Sequence, residues 1–249
     1  NEDHSQPKVF GAVVVKAGAK DCPNTGIAHY FEHIMFKGTD RIGTTDYAAE
    51  KPWLDSISVQ YDLLSQTKDE AIRTRIQKHI NELSIKAADY VIPNEYSRLI
   101  SKYGGSSLNA GTGQDLTYYH NSFLPQFMEQ WCWLNSERLM TPVFRGFQGE
   151  LENVYEEKNR AADDMGDVQD KIFKAVFKTQ PYAYPVLGST ENLKNPRLSD
   201  MAAFFKKYYV ASNMCLILCG DIRPDAALVT LLEKTFGRVQ TGPVPERRK

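Results

Sequence analysis

The sequence predicts a protein of mixed α and β structure, in which a few strands are separated by long helical segments. Three observations support this prediction. Residues 9–16 are rich in valine and residues 214–219 form a second apolar run, so both predict buried strands. Between residues 47 and 90, apolar residues recur at steps of three and four, which is the spacing of one helix face. A chain of 249 residues with 42% hydrophobic content can bury one substantial core.

The predicted elements follow one another in a definite order. After the first strand, a loop containing glycine and proline leads into a short helix at about residue 27. Residues 47–92 are predicted to form a helical hairpin inserted into the domain, with charged side chains on its outer faces. Glycines among Ser, Thr and Tyr predict two strands within residues 104–123. Further helices are predicted at residues 125–139, 147–178 with an interruption near Gly166, 199–208 and 224–236.

The domain is predicted to cover residues 1–241. Residues 242–249 are predicted to be a linker or tail, because two prolines and clustered charge cannot continue a packed element. We expect a second, similar domain to follow it.

The charge balance excludes two classes of partner. Lys plus Arg number 30 and Asp plus Glu number 31, so the net charge of -1 offers no footprint for nucleic acid or anionic lipid. No apolar run reaches the roughly 20 residues that span a bilayer, so no transmembrane segment is expected. The four cysteines show neither paired CxxC spacing nor the density of a disulfide scaffold, and we predict mostly buried thiols.

The segment His29-Tyr30-Phe31-Glu32-His33 places two imidazoles and a carboxylate on one short helix. Side chains four positions apart on a helix are neighbours, so His29 and His33 can reach one ion with Zn–N bonds of roughly 2.0–2.1 Å. Glu32 then lies beside the pair, where it can exchange a proton with water. The alternative is a chance match on a polar helix face, and the context favours the metal site.

A catalytic zinc ion requires a third protein ligand and an open fourth position. Glu150, Val154 and Glu157 are spaced by four and three, so they share one helix face. We predict Glu157 as the third ligand and Glu150 as a carboxylate that orients a ligating imidazole. The alternative is a solvated acidic face, because the same segment holds two further glutamates.

Residues 26–39, Gly-Ile-Ala-His-Tyr-Phe-Glu-His-Ile-Met-Phe-Lys-Gly-Thr, strongly resemble the metal helix of the pitrilysin/insulinase family of zinc peptidases. The inverted His-x-x-Glu-His order is the inverzincin signature. Further matches, in chain order, are residues 105–112, residues 150–157, Pro181-Tyr182, and Tyr208-Tyr209 leading to Gly220-Asp221. The separation of His33 from Glu157 is larger than in most relatives, and the predicted hairpin accounts for the excess. Some bacterial relatives look similar there.

The resemblance implies an α+β fold with a mixed, largely antiparallel sheet and helices packed on one side, like the domain of mitochondrial processing peptidases. It implies that His29, His33 and Glu157 bind Zn2+, that Glu32 is the general base, and that Glu150 supports a ligand. In such proteins a similar second domain usually closes a peptide-binding chamber.

Residues 107–111 resemble the family's edge strand, to which an extended substrate adds through main-chain hydrogen bonds. Asn109 and Ala110 are the implied substrate contacts. An ordinary glycine-rich hairpin is the alternative, because an edge strand needs no ligand to exist.

The implied function is a zinc-dependent endopeptidase or oligopeptidase that cleaves short or unfolded peptides with zinc-activated water. The expected partners are a peptide substrate and a second homologous domain or subunit, where similar enzymes commonly carry oxyanion-stabilising residues. The alternative is a noncatalytic peptide-binding or scaffolding subunit, because the family contains members with degraded motifs. A periplasmic or other extracytoplasmic location is expected, with the cytoplasm as the alternative.

Overall fold

The computed structural model describes residues 2–163 and 166–246, and these form four strands and ten α-helices, with four helices between the first and second strands and five between the third and fourth. The strands are β1 Val9–Val15, β2 Ser106–Thr112, β3 Thr117–Phe123 and β4 Met214–Gly220. The helices are α1 Ile27–Ile34, α2 Tyr47–Gln66, α3 Glu70–Ala88, α4 Glu95–Lys102, α5 Met128–Glu137, α6 Phe147–Asp163, α7 Gly166–Val176, α8 Thr190–Leu193, α9 Leu198–Tyr208 and α10 Ala226–Thr235.

The strands form one sheet in the order β2-β3-β1-β4. All three pairings are antiparallel, and Val13 at the centre of β1 lies opposite Tyr119 on one side and Leu216 on the other. An isolated bridge between Glu2 and Gly220 is parallel. The sheet is therefore largely antiparallel, as predicted, and β2 is an edge strand.

The two faces of the sheet differ in burial because side chains alternate along a strand. Val9, Val13 and Val15 of β1 are buried on one face. Between them, Gly11 lets α5 approach closely, since a Cβ there would lie 2.3 Å from the ring of Trp131. On the opposite face Phe10 and Ile217 are 40% and 42% exposed. The helices thus pack on one side of the sheet, which confirms the predicted fold class.

Helix α1 is held by aromatic packing at the centre of the main core. Phe31 is fully buried and stacks on Phe205 with ring centroids 5.5 Å apart, and it also contacts Tyr209 at 4.9 Å. The Tyr209 hydroxyl hydrogen-bonds the hydroxyl of Tyr119 on β3 at 2.6 Å. Val154 of α6 is fully buried in the same cluster. These contacts fix α1 between the sheet, α6 and α9.

Helices α2 and α3 form the predicted hairpin within residues 47–92. Asp46 and Asp69 cap their N-termini by accepting hydrogen bonds from backbone amides at 3.1 and 3.0 Å. The hairpin packs on α6 through Tyr61, whose ring lies 4.7 Å from that of Phe147. Its status as an insertion relative to similar proteins stays a prediction.

Several sequence predictions differ from the structure. Helices α4 and α8 were not predicted, because they are only eight and four residues long, shorter than the stretch over which a helical period is read. Cys22 and Cys132 are buried as predicted, but Cys215 is exposed because it lies with Ile217 on the open face of the sheet.

The remaining predictions concern the break in the long predicted helix, the C-terminal tail and membrane-spanning segments. An interruption was predicted near Gly166; α6 ends at Asp163 and α7 begins at Gly166, and residues 164–165 lie outside the described residues. Of the predicted tail, residues 242–246 carry no helix or strand, and residues 247–249 lie outside the description. Among the residues described, no helix is both long and apolar enough to cross a membrane.

Candidate metal centre

The start of α1 is fixed by a close approach between two loops. Gly26, directly before the helix, has a φ of 68°, in the left-handed region that favours glycine. A Cβ at this position would lie 2.7 Å from the carbonyl oxygen of Leu187, so only glycine fits against that loop. The segment around Leu187 is thereby placed beside the histidines of α1.

The structure brings His29, His33 and Glu157 together. One ligand atom from each lies within 4.8 Å of the others. The Nε2 atoms of both imidazoles lie 3.5 Å from the same Oε2 atom of Glu157. Tetrahedral zinc with bonds of about 2.0–2.2 Å would separate its ligand atoms by about 3.4 Å. The two His–Glu157 distances and the donor types therefore fit a zinc ion.

Glu150 lies behind His33, on the same face of α6 as Glu157. The Nδ1 atom of His33 donates a hydrogen bond to Glu150 Oε2 at 3.1 Å, and Lys37 forms an ion pair with the other oxygen. Burial alone would raise the pKa of Glu150, but the contacts with His33 and Lys37 outweigh it and lower the pKa to about 2. Glu150 is therefore a carboxylate at neutral pH.

The two histidines have different surroundings. Burial would lower the pKa of His33, but the hydrogen bond to Glu150 and the charges of Glu32 and Glu157 raise it overall. The Nδ1 atom of His29 is buried and has no hydrogen-bond partner among the described residues. The support from Glu150 thus acts on His33. The His29 side chain is 8% exposed and that of Glu157 is 46% exposed, so the cluster opens to solvent beside Glu157.

Glu32 is 9% exposed and borders the same cleft. Its Oε2 atom accepts a hydrogen bond of 2.7 Å from the hydroxyl of Thr112, at the end of β2. Sequence reasoning did not single out Thr112, although it is the last residue of the stretch 105–112 that carries the resemblance. The hydroxyl holds the carboxylate in place without supplying a charge.

The edge strand β2 lies along the cleft, which has a volume of about 600 Å3. Asn109 is exposed and Ala110 is half-buried, and both line the cleft, while their role as substrate contacts stays a prediction. Val186 and Leu187 also line the cleft and were not predicted. The nearby Pro181-Tyr182 match was the one signal that could have drawn attention to this loop.

Comparisons with known proteins were consistent with this geometry. Residues 197–249 match the family model described as the peptidase M16 inactive domain. Over 235 residues the chain is 22% identical to an uncharacterised zinc protease of Rickettsia felis, covering 92% of this chain and 45% of that protein. It is 23% identical to the mitochondrial-processing peptidase subunit beta of Caenorhabditis elegans, covering 92% of this chain and 40% of that subunit.

Solved structures share the fold. A protease from Helicobacter pylori superimposes with a TM-score of 0.73 at 18% identity, covering 98% of this chain and 49% of that one. The periplasmic protease PqqL from Escherichia coli gives a TM-score of 0.70 at 17% identity, covering 100% and 23%. The chain is therefore similar in fold to solved proteases, and the proteins to which its sequence is similar include zinc proteases. It spans less than half the length of these proteins.

Proposed function

We propose that this chain is the N-terminal, metal-bearing domain of a zinc-dependent peptidase of the inverzincin type. The observation that carries the proposal is the convergence of His29 Nε2 and His33 Nε2 on one oxygen of Glu157, at 3.5 Å each, beside the buried carboxylate of Glu32. The proposed substrates are short or unfolded peptides. The proposed reaction is hydrolysis of their peptide bonds.

His29, His33 and Glu157 would hold the metal, since two imidazoles and a carboxylate form a common ligand set of catalytic zinc. When bound, zinc lowers the pKa of a water molecule to about 7 and polarises the substrate carbonyl. Glu32 accepts the proton of the attacking water and then delivers it to the leaving amine. Thr112 keeps the carboxylate aimed into the cleft through both proton transfers.

The edge strand explains the proposed preference for extended substrates. β2 has one paired side, towards β3, and its other side is free to pair with a peptide. Strand addition uses main-chain groups, which a folded substrate does not offer. Asn109 and Ala110 are the proposed contacts because they line the cleft next to Glu32.

We infer that full activity requires a second homologous domain or subunit. Among the described residues that line the cleft, Lys37 is the one lysine or arginine, and its ammonium group is paired with Glu150. No free cation is left there to stabilise an oxyanion. The similar zinc protease of Rickettsia felis and the similar protease of Helicobacter pylori are each about twice as long as this chain, which supports the inference.

A noncatalytic peptide-binding or scaffolding subunit is the second candidate. It is favoured by the match of residues 197–249 to a domain described as inactive. It is also favoured by 26% identity over 158 residues to cytochrome b-c1 complex subunit 1 of Saccharomyces cerevisiae. Residues 197–249, however, contain no member of the candidate metal centre, so the match does not count against catalysis at His29, Glu32 and His33.

Hydrolysis of an unstructured peptide by the zinc-loaded chain tests the proposal. We expect slow turnover, below the 1–10³ per second typical of enzymes, because the second half is missing. Glu32→Gln should retain zinc and lower this rate by at least about 100-fold, whereas the exposed control Glu156→Gln should leave it unchanged.

Two results would contradict the catalytic proposal. One is equal hydrolysis by the Glu32→Gln variant, and the other is hydrolysis that persists after zinc is removed by a chelator. A folded chain that binds peptide without zinc and without cleavage would support the noncatalytic alternative.

A further inference from the structure

Four lysines line a groove of about 460 Å3 on the flank of the candidate metal centre. Lys158 of α6 directly follows Glu157, and Lys171, Lys174 and Lys178 come from α7 and the residues just after it. In the part of the chain that the structure describes, none of these four lysines forms an ion pair. We call this feature the lysine groove.

A third depression of about 350 Å3 shares lining residues with both the lysine groove and the cleft. Val186 and Leu187 line both the cleft and this depression. Lys158 lines both the depression and the lysine groove. The depression also borders Gly113, which directly follows the edge strand β2. A peptide paired with β2 and continuing past Thr112 therefore runs towards the lysines.

The described charged residues that line the lysine groove are mostly basic. The whole chain has a net charge of -1, whereas Asp170 is the one acidic side chain among the described residues that line this groove, against four lysines. Ammonium groups without a partner attract carboxylates, and a cleft lined by one sign of charge concentrates ligands of the other sign.

We propose that the lysine groove binds acidic side chains of the peptide substrate, on one side of the scissile bond. This inference rests on the proposed peptidase function. Lys171 and Lys174 are three residues apart on α7, which is about 4.5 Å at the helical rise of about 1.5 Å per residue, and Lys178 follows the end of α7 at Val176. An extended peptide advances about 3.3 Å per residue. The two helical lysines are therefore spaced for one or two consecutive residues of substrate, and Lys178 adds a further positive charge to the groove.

Binding of four labelled peptides to the zinc-loaded Glu32→Gln chain, measured by fluorescence anisotropy at low salt, tests this assignment. Two peptides carry three glutamates, one before and one after the same neutral central sequence. The other two carry glutamines in their place. One glutamate peptide should bind about five- to tenfold more tightly than its glutamine counterpart, and the gain should shrink as salt is added.

Two triple variants locate the effect. K171Q/K174Q/K178Q should reduce the gain to below about twofold. K68Q/K78Q/K206Q, which removes three exposed lysines that line none of the described depressions, should preserve it. The proposal is overturned by equal binding of glutamate and glutamine peptides, by equal gains from both flanks, or by a gain that survives in the first triple variant.

Cleavage of the glutamine peptides by the unsubstituted chain separates this proposal from the one on which it rests. If the glutamine peptides are cleaved or bound and the glutamate peptides bind no more tightly, only the proposal for the lysine groove is overturned. A zinc-loaded chain that neither binds nor cleaves any of the four peptides overturns both proposals.

Discussion

His33 donates a hydrogen bond from Nδ1 to Glu150 at 3.1 Å, although the two residues are 117 positions apart in the sequence. The opposite ring nitrogen of His33 faces Glu157, 3.5 Å away. Each ring nitrogen of His33 thus faces a carboxylate of α6, and these two glutamates are seven residues apart on the same helix face. This arrangement orients the ring for metal binding before any metal is present.

Glu150→Gln should weaken zinc binding about 10- to 100-fold, because the amide cannot supply the negative charge that orients His33 and makes it a better donor. Competition with a chromophoric chelator measures the affinity. The exposed neighbour Glu152 provides the control, since Glu152→Gln changes the charge of α6 equally without touching the centre. Equal zinc affinities for the two variants would remove Glu150 from its supporting role.

Thr112→Val should preserve zinc binding and lower kcat/KM for peptide hydrolysis about 10- to 100-fold. Valine has nearly the shape of threonine but cannot donate the 2.7 Å hydrogen bond to Glu32. A hydrogen bond to a charged group contributes about 1.5–3 kcal/mol, which corresponds to this range. Thr112→Ser keeps the hydroxyl and should retain most activity; a serine variant as impaired as the valine variant would show that packing, not the hydroxyl, matters.

The stabilisation of the fold by zinc should increase as pH rises from about 6 to 8. In the metal-free chain the folded pKa of His33 is raised above 6.5, so its protonated form stabilises the fold below that pH. This contribution is lost as pH rises through the raised pKa. Zinc binds the neutral imidazole and competes with the proton, so its effect is smallest at acidic pH.

The measurement is the difference in Tm with and without zinc, taken at several pH values. His29→Ala should show no zinc-dependent difference at any pH. A difference that is constant across pH, or largest at pH 6, would contradict the assignment of His33 as a ligand.

The loop after α1 is held by a buried ion pair, and breaking the pair should strongly destabilise the chain. Arg145 binds both oxygens of Glu50 at 2.6 and 2.7 Å and also donates to the carbonyls of Lys37, Thr39 and Ile42. Arg145→Met would leave the Glu50 carboxylate buried and unpaired, so the free energy of unfolding should fall by about 3–5 kcal/mol.

Denaturant titration of the metal-free chain measures this change. Lys51→Met is the matched control, because Lys51 pairs with Asp55 at the surface, where such pairs contribute about 0–1 kcal/mol. A loss below about 1 kcal/mol for Arg145→Met would show that the buried pair is not a main support of the loop.

The elements that could be predicted were those with a strong local period. Short local patterns predict three features. These are the valine-rich strand β1, the hairpin of α2 and α3, and the shared helix face of Glu150, Val154 and Glu157. The structure places these glutamates on one face, with Val154 in the core between them. Their roles as ligand and supporting carboxylate remain predictions.

Long-range contacts could not be predicted in the same way. The hydrogen bond from Thr112 to Glu32 joins residues 80 positions apart. No local sequence pattern around a threonine at the end of a strand predicts which distant carboxylate it will contact. The approach of Leu187 to Gly26 depends on how a loop without regular structure folds back on α1. Helix α8, four residues long, is too short to show a period.

The zinc content of the purified chain, measured after reconstitution and dialysis, tests the central claim most directly. We expect one zinc per chain, lost in His29→Ala, His33→Ala and Glu157→Ala and retained in the control His79→Ala, whose exposed imidazole lies on α3. A folded chain that holds no zinc, or one whose zinc survives all three substitutions, would contradict the metal centre and the peptidase proposed from it.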